Sequence, residues 1–177
     1  MEYWDLYDDN RELTGKTILR GDPIPQGFYH LAVHVCIFNS KGEMLIQQRH
    51  PFKKGWSNMW DLTVGGSAQA GDSSRRAAER EVLEELGVKL DLSRERPIMK
   101  IPFARGYDDL YVVEMDLDLS TLKLQYEEVK EVKWATKNDI IQMIKEGIFI
   151  PYHISLIELL FDLRITRDAH HNLKKQN

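Results

Sequence analysis

Glu81, Glu84 and Glu85 stand at spacings i, i+3 and i+4, with Arg80 directly before them. On a helix this spacing puts the three carboxylates on one face, within an arc of roughly 100°. Like charges so placed weaken an isolated helix by about 0.2–0.5 kcal/mol per pair, so the cluster calls for a cation to compensate it. An all-oxygen set of this kind suits a hard ion, Mg²⁺ or Mn²⁺, which keeps several waters and shares its shell with substrate phosphates. The helix that must carry them is well marked. Asp72 or Ser73 can cap its start, Gly87 supplies the usual residue beyond its end, and Ala78, Val82 and Leu86 give it an apolar side opposite the carboxylates.

The stretch from Gly66 to Val88 resembles the Nudix box, Gly-x5-Glu-x7-Arg-Glu-(aliphatic)-x-Glu-Glu-x-Gly-(aliphatic). Gly66, Arg80, Glu81, Val82, Glu84, Glu85, Gly87 and Val88 all fit, and Asp72 stands where the family has glutamate. The resemblance implies a Mg²⁺-dependent (or Mn²⁺-dependent) hydrolase of a nucleoside diphosphate derivative or other small organic diphosphate. It implies Glu84 and Glu85 as metal ligands, and Glu81 as a ligand or as the base that takes the proton of water. It further implies that Arg80 orients a carboxylate, and that Gly66 lends a carbonyl where no side chain blocks the approach. Asp72, one methylene short, is expected to make a weakened or water-mediated salt bridge to Arg80. The implied fold is an α/β (α+β) chain, a Nudix-type α/β/α sandwich with a mixed central sheet, the box forming a loop-helix-loop.

Family members often carry a further glutamate outside the box. Glu128 is the first choice here and Glu127 the reserve, in the run Tyr126-Glu127-Glu128-Val129; a solvated loop charge is the competing reading for either. Arg49, Lys53 and Lys54 form a basic loop able to meet phosphates, although lysines on a loop are ordinarily just solvated. Trp56, Trp60, Phe52 and Phe103 could stack on a ring; core packing is their commoner fate.

The elements that must position these groups follow from patterning. Residues 3–8 and 13–18 flank the turn-like Asp8-Asp9-Asn10 and read as a hairpin within about residues 1–20. Gly21 to Gly27 is a loop. Leu31–Phe38 and Met44–Arg49 read as strands around the turn Asn39-Ser40-Lys41-Gly42. The first alternates Leu31, Val33, Val35 and Ile37 against His30, Ala32, His34, Cys36 and Phe38. Further strands are expected at Trp60–Val64, Ile98–Phe103, Leu110–Asp116 and Val129–Trp134, and helices at Lys137–Glu146 and His153–Leu163. Residues 167–177 read as a polar tail, and 1–177 as a single domain.

Composition narrows the function classes. With 42% apolar and 29% charged residues the 177-residue chain suits an ordinary folded domain. A net charge of -4 argues against a dedicated nucleic-acid binder. No apolar run approaches the roughly 18 residues that span a bilayer, and the acidic, aromatic start is unlike a secretory leader. The expected partner is thus a small-molecule diphosphate, with no membrane and no dedicated nucleic-acid binding, and the expected compartment is the cytoplasm. Cys36, the only cysteine, sits in an apolar strand and reads as a buried thiol. Dimers are common in the family, so a homodimer stays open.

Outside the box the chain is similar to the branch containing type 1 isopentenyl-diphosphate isomerase. The similarity is carried by Trp4-Asp5-Leu6-Tyr7-Asp8, His30-Leu31-Ala32, Phe38-Asn39-Ser40-Lys41-Gly42 and Lys53-Lys54-Gly55-Trp56-Ser57-Asn58-Met59-Trp60. His30 matches a metal-ligand histidine of those enzymes. Gly65, however, stands in the place of their catalytic cysteine and Ser67 in that of a metal-binding histidine, whereas the hydrolase carboxylates are intact. Hydrolysis is therefore the leading reading. An isomerase-like enzyme and a non-catalytic nucleotide- or diphosphate-sensing module are the alternatives.

Overall fold

The strand β3 (His30–Phe38) shows why its sequence folds as it does. Val33, Val35 and Ile37 are wholly buried, and on the other face Cys36 and Phe38 are too, so the apolar run is covered on both sides towards its C-terminal end. In this computed structural model residues 1–170 are described, and the chain clusters into two units that exchange within β3.

The first unit comprises Met1–Val35, Val64–Tyr111 and Thr121–Gln125. It opens with an antiparallel hairpin of β1 (Tyr3–Tyr7) and β2 (Leu13–Leu19). The Asp8 carboxylate closes the turn by accepting from the backbone N–H groups of Asn10 (3.0 Å) and Glu12 (2.8 Å), an Asx-type arrangement. The order of strands that follows is β3, β4 (Met44–Arg49), β5 (Trp60–Asp61) and β6 (Val64–Ser67). In the first unit β6 lies antiparallel to β3, with Val35, His34, Val33 and Ala32 facing Val64, Gly65, Gly66 and Ser67. The helix α1 (Ser74–Leu86) comes next, then the antiparallel pair β7 (Met99–Phe103) and β8 (Gly106–Glu114).

The second unit comprises Cys36–Thr63, Val112–Ser120 and the chain from Tyr126 on. Its centre is β4, which pairs over Met44–Arg49 with β9 (Val129–Ala135) and at Gln47 and Gln48 with β5. Helix α2 (Lys137–Lys145) begins at a capping box in which Thr136 and Asp139 satisfy each other's backbone N–H groups. Helix α3 (Ile154–Ile165) sets Phe161 edge-on to Phe38 at 4.9 Å.

The structure departs from the sequence expectation at two strands. Trp60–Val64 is not one strand: β5 and β6 are separated at Leu62 and Thr63. The Thr63 hydroxyl accepts the Ile37 N–H at 2.9 Å and donates to the Leu45 carbonyl, so a side chain replaces ladder bonding there. β8 begins at Gly106, four residues before the expected Leu110, and ends at Glu114 rather than Asp116. Gly106 is the residue that permits this start, since a Cβ on it would lie 2.2 Å from the His30 carbonyl oxygen. Of the expected tail, 167–170 form no helix or strand and 171–177 lie outside the described residues. Among the described residues no helix is long and apolar enough to cross a membrane.

Candidate active site

The box helix is fixed at both ends by local chemistry. Ser73, not Asp72, is the cap, its side chain accepting the Arg76 N–H at 3.3 Å. At the other end Gly87 turns left-handed (φ 69°) and donates its N–H to the Leu83 carbonyl. Ala77, Ala78, Val82 and Leu86 are fully buried and seat the helix.

The three glutamates differ in burial despite their common spacing. Glu84 is about half exposed at 47%, Glu81 only 14% exposed, and Glu85 is buried beside Leu86. The carboxylate face and the apolar side therefore meet at Glu85 instead of lying opposite. Arg80 organises the group. Its Nη1 donates to Glu81 Oε1 at 2.9 Å and to Glu84 Oε2 at 3.2 Å. Its Nη2 donates to the Ser67 carbonyl at 3.0 Å, and Nε and Nη2 both reach Asp72 Oδ2 at 3.2 Å. Of the two expected alternatives, weakened or water-mediated, the contact is the direct one: Asp72 touches Arg80 through two 3.2 Å bonds to a single oxygen. The shorter side chain lets both N–H groups share one oxygen, where a fork would use two.

Burial works against the charge on Arg80, but the surrounding Glu81, Glu84 and Asp72 outweigh it and hold its pKa above the usual value. Burial raises the pKa of Glu81; Arg80 opposes the shift, and Glu84 adds to it. Gly66 has a role besides the carbonyl expected of it. A Cβ there would lie 2.2 Å from Glu81 Cδ, so the bare glycine makes the space in which that carboxylate rests.

Among the described residues no group of three His, Cys, Asp or Glu side chains is gathered as a ready metal cage. Glu81 and Glu84 nevertheless converge on a single cationic nitrogen, and their all-oxygen chemistry fits a hard divalent ion. Glu81, Glu84, Glu85 and the Gly66 carbonyl are the groups of this region that could hold one.

The next glycine along β6 shapes a second polar group that sequence reasoning did not find. His34 Nδ1 lies 2.9 and 2.8 Å from the two oxygens of Asp108, and a Cβ on Gly65 would fall 2.5 Å from His34 Nε2. Only the alternation of β3 hinted at His34, and nothing in the sequence joined it to Asp108. His30 is buried, stacked on Trp4 at 4.3 Å with Phe103 edge-on at 5.4 Å. Phe103 thus packs on a neighbour's ring.

The remaining candidates belong to the second unit. Arg49 lies 3.6 Å from Asp61, which also accepts the Tyr152 hydroxyl at 2.8 Å. Lys53 is paired with Glu128, so each of these two candidates neutralises the other. Glu127 and Lys54 are exposed. Trp60 is buried under the Lys133 ammonium, 4.3 Å from its ring centroid, and belongs to the core. Trp56 is 53% exposed with φ 50°. Cys36 is fully buried.

Comparison with known proteins gives one consistent result. The family model described as NUDIX domain matches residues 28–155. A curated relative from Listeria monocytogenes, described as an uncharacterized Nudix hydrolase, is 47% identical over 170 residues, covering 96% of this chain and 99% of its own. An Escherichia coli isopentenyl-diphosphate Delta-isomerase is 30% identical over 122 residues, 65% of this chain and 66% of its own. A crystal structure from Deinococcus radiodurans superposes with a TM-score of 0.71 at 26% identity, covering 90% of this chain and 97% of that one.

Proposed function

The chain belongs to the Nudix family and is a Nudix hydrolase with the family's α/β sandwich fold, and from that premise we propose that it is a Mg²⁺-dependent (or Mn²⁺-dependent) hydrolase that splits a phosphoanhydride bond in a nucleoside diphosphate derivative or similar small organic diphosphate. The observation that carries the reading is the convergence of Glu81 and Glu84 on Arg80, with Glu85 on the next turn of the same helix.

Glu84 and Glu85 would hold the ion, with the Gly66 carbonyl and Glu81 completing the protein's share. When bound, the ion neutralises the diphosphate and makes its water a better nucleophile. Glu81, 14% exposed and held by Arg80, would serve either as a further ligand or as the base that receives the proton water gives up. Arg80 keeps the carboxylates in place through five hydrogen bonds to Asp72, Glu81, Glu84 and the Ser67 carbonyl.

Isomerase chemistry is disfavoured by Gly65. It offers no thiol where the resemblance places the isomerases' catalytic cysteine, and a Cβ at that position would require the His34 ring to shift. The test is a product screen with Mg²⁺ or Mn²⁺ over nucleoside di- and triphosphates, nucleotide sugars, dinucleotides, coenzyme A and isoprenoid diphosphates, with Glu84→Gln alongside. Cleavage lost in Glu84→Gln supports the proposal. Cleavage that survives the substitution, or dimethylallyl diphosphate formed from isopentenyl diphosphate, overturns it.

A further inference from the structure

The loop between Ser67 and the cap Ser73 carries Asp72, whose carboxylate is shared thinly. One oxygen, Oδ2, accepts from Arg80 Nε, from Arg80 Nη2 and from the Gln69 N–H, each at 3.2 Å. Donors that share one acceptor in this way make long bonds, each weaker than a bond of ordinary length. Where Asp72 points is therefore decided by the backbone of the loop, and that backbone is held from outside.

The hold comes from the N-terminal hairpin of the same unit. The Ala70 N–H donates to the Tyr3 carbonyl and the Gly71 N–H to the Asp5 carboxylate, both at 2.7 Å. This is the short end of the range for an N–H···O bond, and an ionised acceptor makes such a bond roughly twice as strong as a neutral one. Gly71 turns left-handed at φ 85°, a conformation that residues with a Cβ adopt only under strain. The hairpin has other anchors. Tyr7 exchanges two backbone bonds with Tyr29, at 2.8 and 2.9 Å, and Trp4 stacks on His30 at 4.3 Å. The hairpin is thus the fixed body, and the loop is what it fixes.

We infer that Asp5 is a positioning residue of the site: through Gly71 it sets the loop that aims Asp72 at Arg80, and through Arg80 it sets the placing of Glu81 and Glu84. The assignment rests on the reading of the box as the site of hydrolysis. Spacing in the sequence hides the link, since Asp5 stands 66 residues before Gly71.

The test begins with the full-length protein free of metal. The Arg80 Nε–H, identified in the ¹H–¹⁵N spectrum by its loss in Arg80→Lys, reports the bond to Asp72 whether or not the box takes an ion. In Asp5→Ala this proton exchanges with water about tenfold faster than in the parent. In Asp5→Asn, which keeps an acceptor oxygen for Gly71, most of the protection returns. Asp8→Ala is the control, because it removes the acceptor of the Asn10 and Glu12 N–H groups at the turn of the hairpin. It lowers the urea midpoint and leaves the Arg80 proton as in the parent. Titration with Mn²⁺ in the absence of substrate follows. Outer partners of metal ligands are worth about 10–100-fold in affinity, and the Kd for Mn²⁺ rises about tenfold in Asp5→Ala. An Arg80 proton as protected in Asp5→Ala as in the parent overturns the assignment, and so does one exposed equally by Asp8→Ala. A Kd that holds in Asp5→Ala while it rises in Glu84→Gln overturns it too. A Kd that holds in Glu84→Gln as well counts against the metal reading of the box alone, and a freed Arg80 proton then still supports the hold of Asp5 on the loop.

Discussion

Two consecutive glycines of β6 govern the polar groups next to them in the same way. Gly66 receives the Glu81 carboxylate, and Gly65 receives the His34 imidazole that Asp108 grips. Glu81→Gln keeps the shape and an acceptor for Arg80 but cannot take up a proton. Its kcat falls roughly 10²–10⁴-fold, the usual worth of a general base, while its binding of the ion changes less than in Glu84→Gln; steady-state kinetics across a metal titration reads both. A fall confined to metal affinity would remove Glu81 from the role of base. Gly65→Ala tests the other contact. A methyl group 2.5 Å from His34 Nε2 forces the ring off Asp108, and such overpacking costs about 1–3 kcal/mol, read as a lower urea midpoint. An unchanged midpoint would mean that His34 moves aside freely.

At the scale of elements, α1 is the piece on which the site depends, and its ends are decided by single residues. Ser73→Ala leaves the Arg76 N–H without its acceptor and should lower stability by about 1 kcal/mol in urea unfolding, with Asp72→Ala differing because Asp72 spends its side chain on Arg80 instead. This helix was legible in the sequence because everything that defines it is local: a cap, an αL glycine, and alanine, valine and leucine at helical spacing. The box carboxylates were legible for the same reason. β8 was read only in part, since Tyr107-Asp108-Asp109 looks too acidic for a strand. Its charges are answered by His34 and by Arg11, whose Nη2 lies 2.5 Å from Asp109, partners some 75 to 100 residues away in the chain. The break between β5 and β6 was hidden likewise, because Thr63 finds Ile37 and Leu45 only once β3 and β4 have formed. The burial of Glu85 could not be read from spacing, which gives a direction on a helix but not what packs against it.

For the molecule as a whole, the buried titratable groups set how stability follows pH. His30 is 8% exposed, lies against Trp4 and Phe103, and leaves Nδ1 buried with no hydrogen-bond partner among the described residues. Burial depresses its pKa below the ordinary histidine value. The unfolded chain then takes up a proton near the ordinary value of about 6.5 while the folded chain still refuses it, so stability falls as pH drops through that range. Glu81 acts with the opposite sign. Its raised pKa makes the folded chain hold a proton longer than the unfolded one, which costs stability as pH rises above the ordinary carboxylate range. The acid slope of the intact protein is thus a difference between the two, and one variant separates them. His30→Phe retains a ring to stack on Trp4 and removes the titration, leaving Glu81 and its surroundings untouched. Urea midpoints measured from about pH 7 to about pH 5 should fall less steeply for His30→Phe than for the parent chain. Parallel curves would show that His30 is as easily protonated in the fold as in the unfolded chain, and that Trp4 and Phe103 do not shield it from water.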